Sequence, residues 1–567
     1  MKRRTTRLAP SSCLQQQGFK DALLRLSMAL MLLMLTTATA RAQNPATIGS
    51  IQYNSTLGAY EINCTDNLND LAVYVNGSGS YSTGVKVTIA HDCSGLLFKQ
   101  TANITYSHTT DWDDATSTEN NYTAIGYYDG SNYYDFKGHF DGRGHTVSGI
   151  RIYKSGSDAT DAFQGIFGYS DGATIQNITL ADTRITGYQA IGGIVGYNKS
   201  GGTVSDCHVT ADVTIHAVQS NAANHGGIVG YNIGTVSYCT SAATLTNTNG
   251  GSGYGGIVGC NDGTLSNNLA IGAVVPSASW SCYGAICGDN DKGTLRHNYY
   301  YHCTAMGCHN ANVTTNNGAV PGIILYDKSS KTDINSYILT EVGNEEVFRV
   351  FLSGRTLYKD GNWNTLCLPF AVSTTSGPLS GDNVKAMVLD GDDSGLSGTT
   401  LTLNFDDAPE PIPAGTPFII KWDNTSVNLT ENDLMFTGVT IDDTKRDVTF
   451  TGGTFMGNYA PLEITDANRD DIVVLAGGNK LGYVTTDRTI ANGKALGAFH
   501  AYFEIPGSTQ AREFVLNTDN GETTGIVDNK RETITNNHWY SLDGRKLQGK
   551  PTQKGLYIVN GKVRVIK

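Results

Sequence analysis

The sequence predicts an all-β protein: a right-handed parallel β-helix (a solenoid), then a β-sandwich domain, then a small C-terminal β domain. A glycine-punctuated phrase recurs five times between residues 165 and 290, its closing glycines 28, 34, 29 and 29 residues apart. Glycine accounts for 66 of 567 residues, charged residues make up only 16%, and long amphipathic helical patterns are scarce. Beyond residue 345, short apolar runs alternate with Gly, Asp, Asn and Pro. Gly and Asn accept the positive φ that tight turns between strands require, so the composition suits many short strands and not a helical bundle or a dinucleotide-binding α/β fold.

The phrase reads Gly165-Ile166-Phe167-Gly168-Tyr169, Gly193-Ile194-Val195-Gly196-Tyr197-Asn198, Gly227-Ile228-Val229-Gly230-Tyr231-Asn232, Gly256-Ile257-Val258-Gly259-Cys260-Asn261 and Ala285-Ile286-Cys287-Gly288-Asp289-Asn290. A second short apolar stretch follows each, from 173–178 to 293–298, and a third is usually readable, as at 211–215. Three strands of about five residues with their turns fill such a period. No unit has enough apolar side chains to fold alone. Stacked in parallel at about 4.8 Å, the units share one core of Ile, Val and Leu. A β-propeller blade needs four strands and about 40–50 residues, more than the period supplies.

These residues resemble the GLUG-motif repeats of bacterial surface proteins, whose pattern four of the five units meet. The last departs at Ala285, Cys287 and Asp289. The stretch 136–152, rich in Gly and His, is similar to the entry coil of such β-helices. Upstream, Tyr60–Ile62, a helical stretch over Leu68–Val75 and a strand over Val85–Ala90 are expected to cap the solenoid, because an open end exposes core and an unpaired strand edge. The expected boundaries are 43–135 for the cap and first coils and 136–320 for the repeat β-helix.

Eight short strands between Phe348 and Phe503 suggest a β-sandwich over 345–517, and the polar stretch 518–534 reads as a linker. The tail 535–567 holds three strands punctuated by Asp543-Gly544 and Asn560-Gly561, a small β-meander. It resembles the C-terminal sorting domain of proteins exported by the bacterial type IX route, and that resemblance implies the type IX secretion machinery as a partner.

Residues 1–42 read as a signal peptide: a basic leader from Lys2 to Arg25, an apolar core over Leu26–Leu35, and a small-residue site at Ala40-Arg41-Ala42. The core is too short to span a bilayer, and no later segment reaches transmembrane length, so the mature chain is expected to be secreted or held at the outer-membrane surface. Removing the leader's seven basic residues and one acidic residue leaves 33 and 51, a formal charge of −18. That balance disfavours nucleic acid as a partner.

Several clusters invite chemistry. His139, Asp141, Arg143 and His145 alternate along one stretch, but Asp141-Gly142 and Arg143-Gly144 read as a turn. Cys207 and Cys239 occupy one column of successive coils, within disulfide reach. Cys282, Cys287, Cys303 and Cys308, with His297, His302 and His309 nearby, have neither zinc-knuckle spacing nor a reducing compartment, so disulfides or buried thiols are expected there. Asn268 and Asn298 continue the Cys207 column and are expected to form a structural ladder. Asp111, Asp113 and Asp114, and Asp390, Asp392 and Asp393, could chelate calcium, but neither run has the full EF-hand spacing, so solvated acidic loops are expected there and no cofactor is implied. Tyr127, Tyr128, Tyr133 and Tyr134 would stack sugars if exposed. The repeat carries Ser, Thr, Asn and Tyr instead of paired carboxylates or a basic neutraliser, and no nucleophile elbow, zinc helix or phosphate loop is present. The expected function is an adhesin-like protein binding an extracellular glycan or protein, more an adhesive scaffold than an enzyme. The alternatives are a secreted polysaccharide lyase or glycoside hydrolase on the same scaffold, and a purely structural stalk.

Overall fold

The computed structural model describes residues 45–518, apart from 115–116, 219–223, 248–250, 273–279, 291, 304–318, 328–333, 424–426, 466, 485–494, 507–510 and 512, together with three strands near the C-terminus. The signal-peptide segment therefore lies outside the described residues, as do Cys308 and His309. Among the described residues, no helix is long and apolar enough to cross a membrane.

The repeat folds as a parallel β-solenoid, and each full coil uses five very short strands where three longer ones are expected from the sequence. One coil runs Thr203–Ser205, His208–Val209, Thr214–Ala217, His225–Gly226 and Val229–Asn232, and the chain then rises to Thr235–Ser237. Equivalent strands pair in parallel, giving five faces. On the first face Phe98, Phe140, Ile175, Val204, Val236 and Leu265 stack in register and are fully buried. Ile152, Ile185, Ile215 and Leu245 do the same on the third. Single apolar residues flanked by outward polar ones thus build a shared core, as in other solenoids.

The five-strand coil explains the glycines. The fourth-face strand crosses close to the fifth-face strand, and a Cβ on Gly230 would lie 2.4 Å from the Ala190 carbonyl carbon. The first glycine of each phrase faces the next coil: Cβ atoms on Gly193, Gly227 and Gly256 would meet the carbonyl oxygens of Gly227, Gly256 and Ala285 at 2.5, 2.2 and 2.2 Å. Ala285 enters the last fifth-face strand among the described residues, Cys287–Asp289, and no described strand stacks beyond it on that face, so a Cβ is accommodated where the earlier phrases need glycine. Between the first two faces, Asn177, Asp206, Tyr238, Asn267 and His297 all take left-handed φ near +50°, a conformation in which Asn, Asp and His are enriched.

The N-terminal end is capped. Thr47–Ile48, Ile51–Asn54 and Ala59–Ile62 extend the first sheet, and helix α1 (Thr65–Asn76) buries Leu68, Leu71 and Val75 against the coil core. Only Lys86–Val87 of the expected 85–90 strand forms, in a small surface hairpin with Gly79–Ser80.

Beyond the solenoid, Ile323–Tyr326, Glu346–Ser353 and Met435–Thr440 form a three-stranded sheet. With helix α2 (Ile334–Val342), this sheet shares one core with solenoid residues Ala242, Leu269, Ile271 and Tyr299. Two five-stranded sheets then pack face to face as a sandwich through Leu401, Leu403, Phe405, Phe455, Val473 and Phe503. Three strands absent from the sequence reading complete these two sheets: Gly453–Gly457, Lys480–Tyr483 and Glu513–Thr518. At the C-terminus Trp539–Ser541, Gly555–Val559 and Lys562–Ile566 form an antiparallel meander.

Candidate functional site

The aromatic position of the repeat phrase becomes a column on the fifth face. Tyr169, Tyr197 and Tyr231 are in register, and their rings stack at 4.9 Å with interplanar angles of 15° and 13°. That distance is the strand spacing itself. Below them the hairpin Tyr127–Tyr128/Tyr133–Tyr134 pairs Tyr127 with Tyr134 and Tyr128 with Tyr133, both at 4.5 Å. Tyr133 in turn meets Tyr169 at 4.9 Å, and Lys199 lies over both rings. The four tyrosines expected to stack sugars therefore mainly stack one another. Tyr133 remains about half exposed, whereas Tyr169 at the foot of the column is buried and the Tyr231 hydroxyl donates to Asp262 at 2.7 Å. The sequence reading did not include Tyr169, Tyr197 and Tyr231 in the site; the signal was their fixed place in the phrase.

A cleft of about 580 Å³ opens beside this hairpin, between it, the end of α1 and the segment 90–96. One wall is the Tyr74–His91 pair, stacked at 4.3 Å and 9°; Tyr133 and Tyr134 line the other, and Val75, Cys93 and Leu96 supply buried floor. The Lys137 N–H donates to the Asp92 carbonyl at 2.6 Å and closes the base. The polar groups cluster around Lys137, whose ammonium lies 3.5 Å from Asp92 and 3.9 Å from Asp135. These two carboxyls are tuned apart. Burial pushes Asp135 up, against the opposing pull of Lys199, and its Oδ1 is buried with no hydrogen-bond partner. Asp92 is partly desolvated too, but the Ser94 N–H and hydroxyl and Lys137 outweigh that and hold it below the usual carboxylate range. Burial likewise pushes the Tyr74 phenol up to about 12. No local sequence pattern announces this cleft, because residues 74, 91–94 and 133–137 meet only through the coil.

The GLUG motif matches residues 187–214. This segment holds the second phrase, Gly193 to Asn198, and the strands that follow it on the first two faces, Thr203–Ser205 and His208–Val209. No curated protein and no solved structure matches the chain. The motif and the fold together make this a GLUG-bearing β-helix protein.

The other candidates separate clearly. Asp141 accepts from the Arg143 N–H at 3.0 Å and from Asn177 at 2.8 Å, with Arg143 left-handed, so this stretch is a turn. Asp111, Asp113 and Asp114 are exposed, the solvated acidic run expected there. The carbonyls of Asp111, Trp112, Asp114 and Ser117 point at the buried Arg151 guanidinium, at 2.7–3.1 Å, so a built-in cation fills the loop. Asp390 accepts from the Asp392 and Asp393 N–H groups at a bulge in the strand Lys385–Ser397. Among the described residues, no group of three His, Cys, Asp or Glu side chains is placed to hold a metal.

Cys207 and Cys239 stack inside the coil as buried thiols, with their Sγ atoms on the Ser205 and Ser237 carbonyls, and burial holds the Cys207 thiol well above its usual pKa. Cys287 is buried, with Sγ 3.0 Å from the Asp289 carbonyl, Cys282 is half-buried on the strand Trp280–Gly284, and Cys303 packs against the core. Continuing the Cys207 column, the Asn268 amide donates to Asn298 Oδ1 at 2.9 Å and to the Val236 carbonyl at 3.0 Å, the ladder the sequence implies. A longer ladder came from the phrase itself. Asn198, Asn232, Asn261 and Asn290 donate each to the next at 2.8, 2.8 and 2.7 Å inside the coil.

Proposed function

We propose that this chain is an exported, surface-displayed adhesin-like protein that binds an extracellular glycan. The observation that carries the reading is the open cleft walled on one side by the stacked Tyr74–His91 pair and on the other by Tyr133 and Tyr134 of the tyrosine hairpin. Sugar rings pack their apolar faces on such rings, and rings already held in place lose little rotamer freedom on binding. Tyr133 and Tyr134 line the cleft itself; Tyr127 and Tyr128 act by bracing them. The tail 535–567 serves as the sorting signal for type IX export and brings the protein to the cell surface. Deleting it should leave the chain inside the cell envelope, as fractionation would read.

One observation favours hydrolysis as the second reading: two carboxyls in one cleft with their proton affinities pushed apart, the arrangement a general acid and its partner need. Mature protein applied to a glycan array, with a reducing-end assay run in parallel, separates the two. Binding without release supports the adhesin. Release that vanishes in Asp135→Asn makes it an enzyme, and no retention of any glycan removes both readings.

A further inference from the structure

Resting on the glycan-binding reading, we infer that the cleft between α1 and the tyrosine hairpin takes a short uncharged oligosaccharide, and that Asp92 and Lys137 read its hydroxyls. The size fits: about 580 Å³ falls within the range of about 300–1,000 Å³ typical of small-ligand sites. The polar groups fit as well. A sugar hydroxyl both donates and accepts, a carboxylate only accepts, and an ammonium only donates. Asp92 and Lys137 stand 3.5 Å apart and Asp135 and Lys137 3.9 Å, longer than charge-assisted hydrogen bonds of about 2.7–2.9 Å. The pairs are thus loose, and neighbouring hydroxyls can donate to Asp92 while accepting from Lys137.

Charge selects the class of sugar. Asp92, Asp135 and, close by, Asp171 outnumber Lys137 and Lys199, and Lys199 is already engaged with Asp171 at 3.2 Å and lies over the rings of Tyr133 and Tyr169. The chain as a whole carries −12. A uronate, sulfate or sialic acid would enter against like charge with one loosely held ammonium to meet it. An uncharged glycan meets no such barrier, and its apolar ring faces lie against Tyr74–His91 and Tyr134.

The test is titration calorimetry of the mature chain with cellotriose, xylotriose and mannotriose against trigalacturonate and sialyllactose. At least one uncharged trisaccharide should bind, with both acidic ones at least tenfold weaker. Tyr134→Ala, Asp92→Asn and Lys137→Met should each weaken that binding tenfold or more at an unchanged unfolding midpoint. Tyr358→Ala, an exposed ring of the second domain, should not. Tighter binding of the acidic sugars overturns the inference. So does array-positive glycan binding that survives all three cleft variants, an outcome that leaves the adhesin reading standing. Loss of array binding altogether sinks that reading as well.

Discussion

Asn232 sits in the middle of the buried amide ladder, and removing its side chain measures what the ladder contributes. It accepts from Asn198 Nδ2 at 2.8 Å and donates to Asn261 Oδ1 at 2.8 Å and to the Gly234 carbonyl at 3.1 Å. A buried hydrogen bond contributes a net of roughly 1 kcal/mol, so Asn232→Ala should cost about 3 kcal/mol before any cavity term. The neighbours are not wholly orphaned, since Asn198 keeps the Gly202 carbonyl at 3.4 Å and Asn261 keeps the Gly263 N–H at 3.2 Å. That limits the desolvation penalty and keeps the figure near 3 instead of 5. At the ladder's end Asn290 makes two such bonds, to Asn261 and to Gly293, so Asn290→Ala should cost about 2 kcal/mol. The multi-part chain will not unfold in one step, so the readout is amide hydrogen exchange over peptides spanning 195–261. A stack of nearest-neighbour units should lose protection in the coils on both sides of Asn232. A cost below about 1 kcal/mol, or equal costs at 232 and 290, would refute the ladder's role.

Gly256→Ala should abolish folding of the upper coils, because the new Cβ would stand 2.2 Å from the Ala285 carbonyl oxygen, whereas Ala285→Gly should change the midpoint little; thermal unfolding of both variants checks this. His208 is buried against Tyr337 of α2, and burial lowers its pKa to about 4. Unfolded, it protonates below about 6.5, so the folded chain binds fewer protons between pH 6.5 and 4 and stability falls as pH drops through that window. The loss approaches about 3 kcal/mol near pH 4, and His208→Phe should flatten the pH–midpoint curve there. Arg355 and Asp327 form a buried pair at 3.2 Å with His500 beside them. Asp327→Asn leaves the guanidinium uncompensated and should cost about 3–5 kcal/mol in denaturant unfolding, while a double change to apolar residues costs less. If Cys207 and Cys239 oxidise during export, non-reducing peptide mapping will show them linked, and a reduced pair in secreted material rejects the bridge.

Much of the fold was legible because a solenoid writes its structure in repeats. The period of the Gly-Ile-Val-Gly-Tyr-Asn phrase set the coil, the need for a shared core set the stacking, and the stacking placed Asn268 over Asn298. The five-strand path was not legible. Strands of two residues such as His225–Gly226 leave no period-2 pattern, and only the carbonyl contacts of Gly193, Gly227 and Gly256 reveal why glycine is required. The cation of the 111–114 loop was not legible for a similar reason: its occupant, Arg151, lies about 40 residues downstream.

The sequence by itself determined a repeating β architecture and the identity of the residues in each column, because translation along a solenoid maps one sequence position onto one line in space. Only the tertiary structure decided what those lines do. The tyrosines proposed from composition, Tyr127, Tyr128, Tyr133 and Tyr134, stack mainly on one another at 4.5 Å, which uses up one face of each ring. The cleft arose from Tyr74, Asp92 and Lys137, residues with no common pattern that are brought together by the capping helix and the entry coil. Local propensity fixes what repeats; a site built from unrepeated residues exists only after the chain has closed around it.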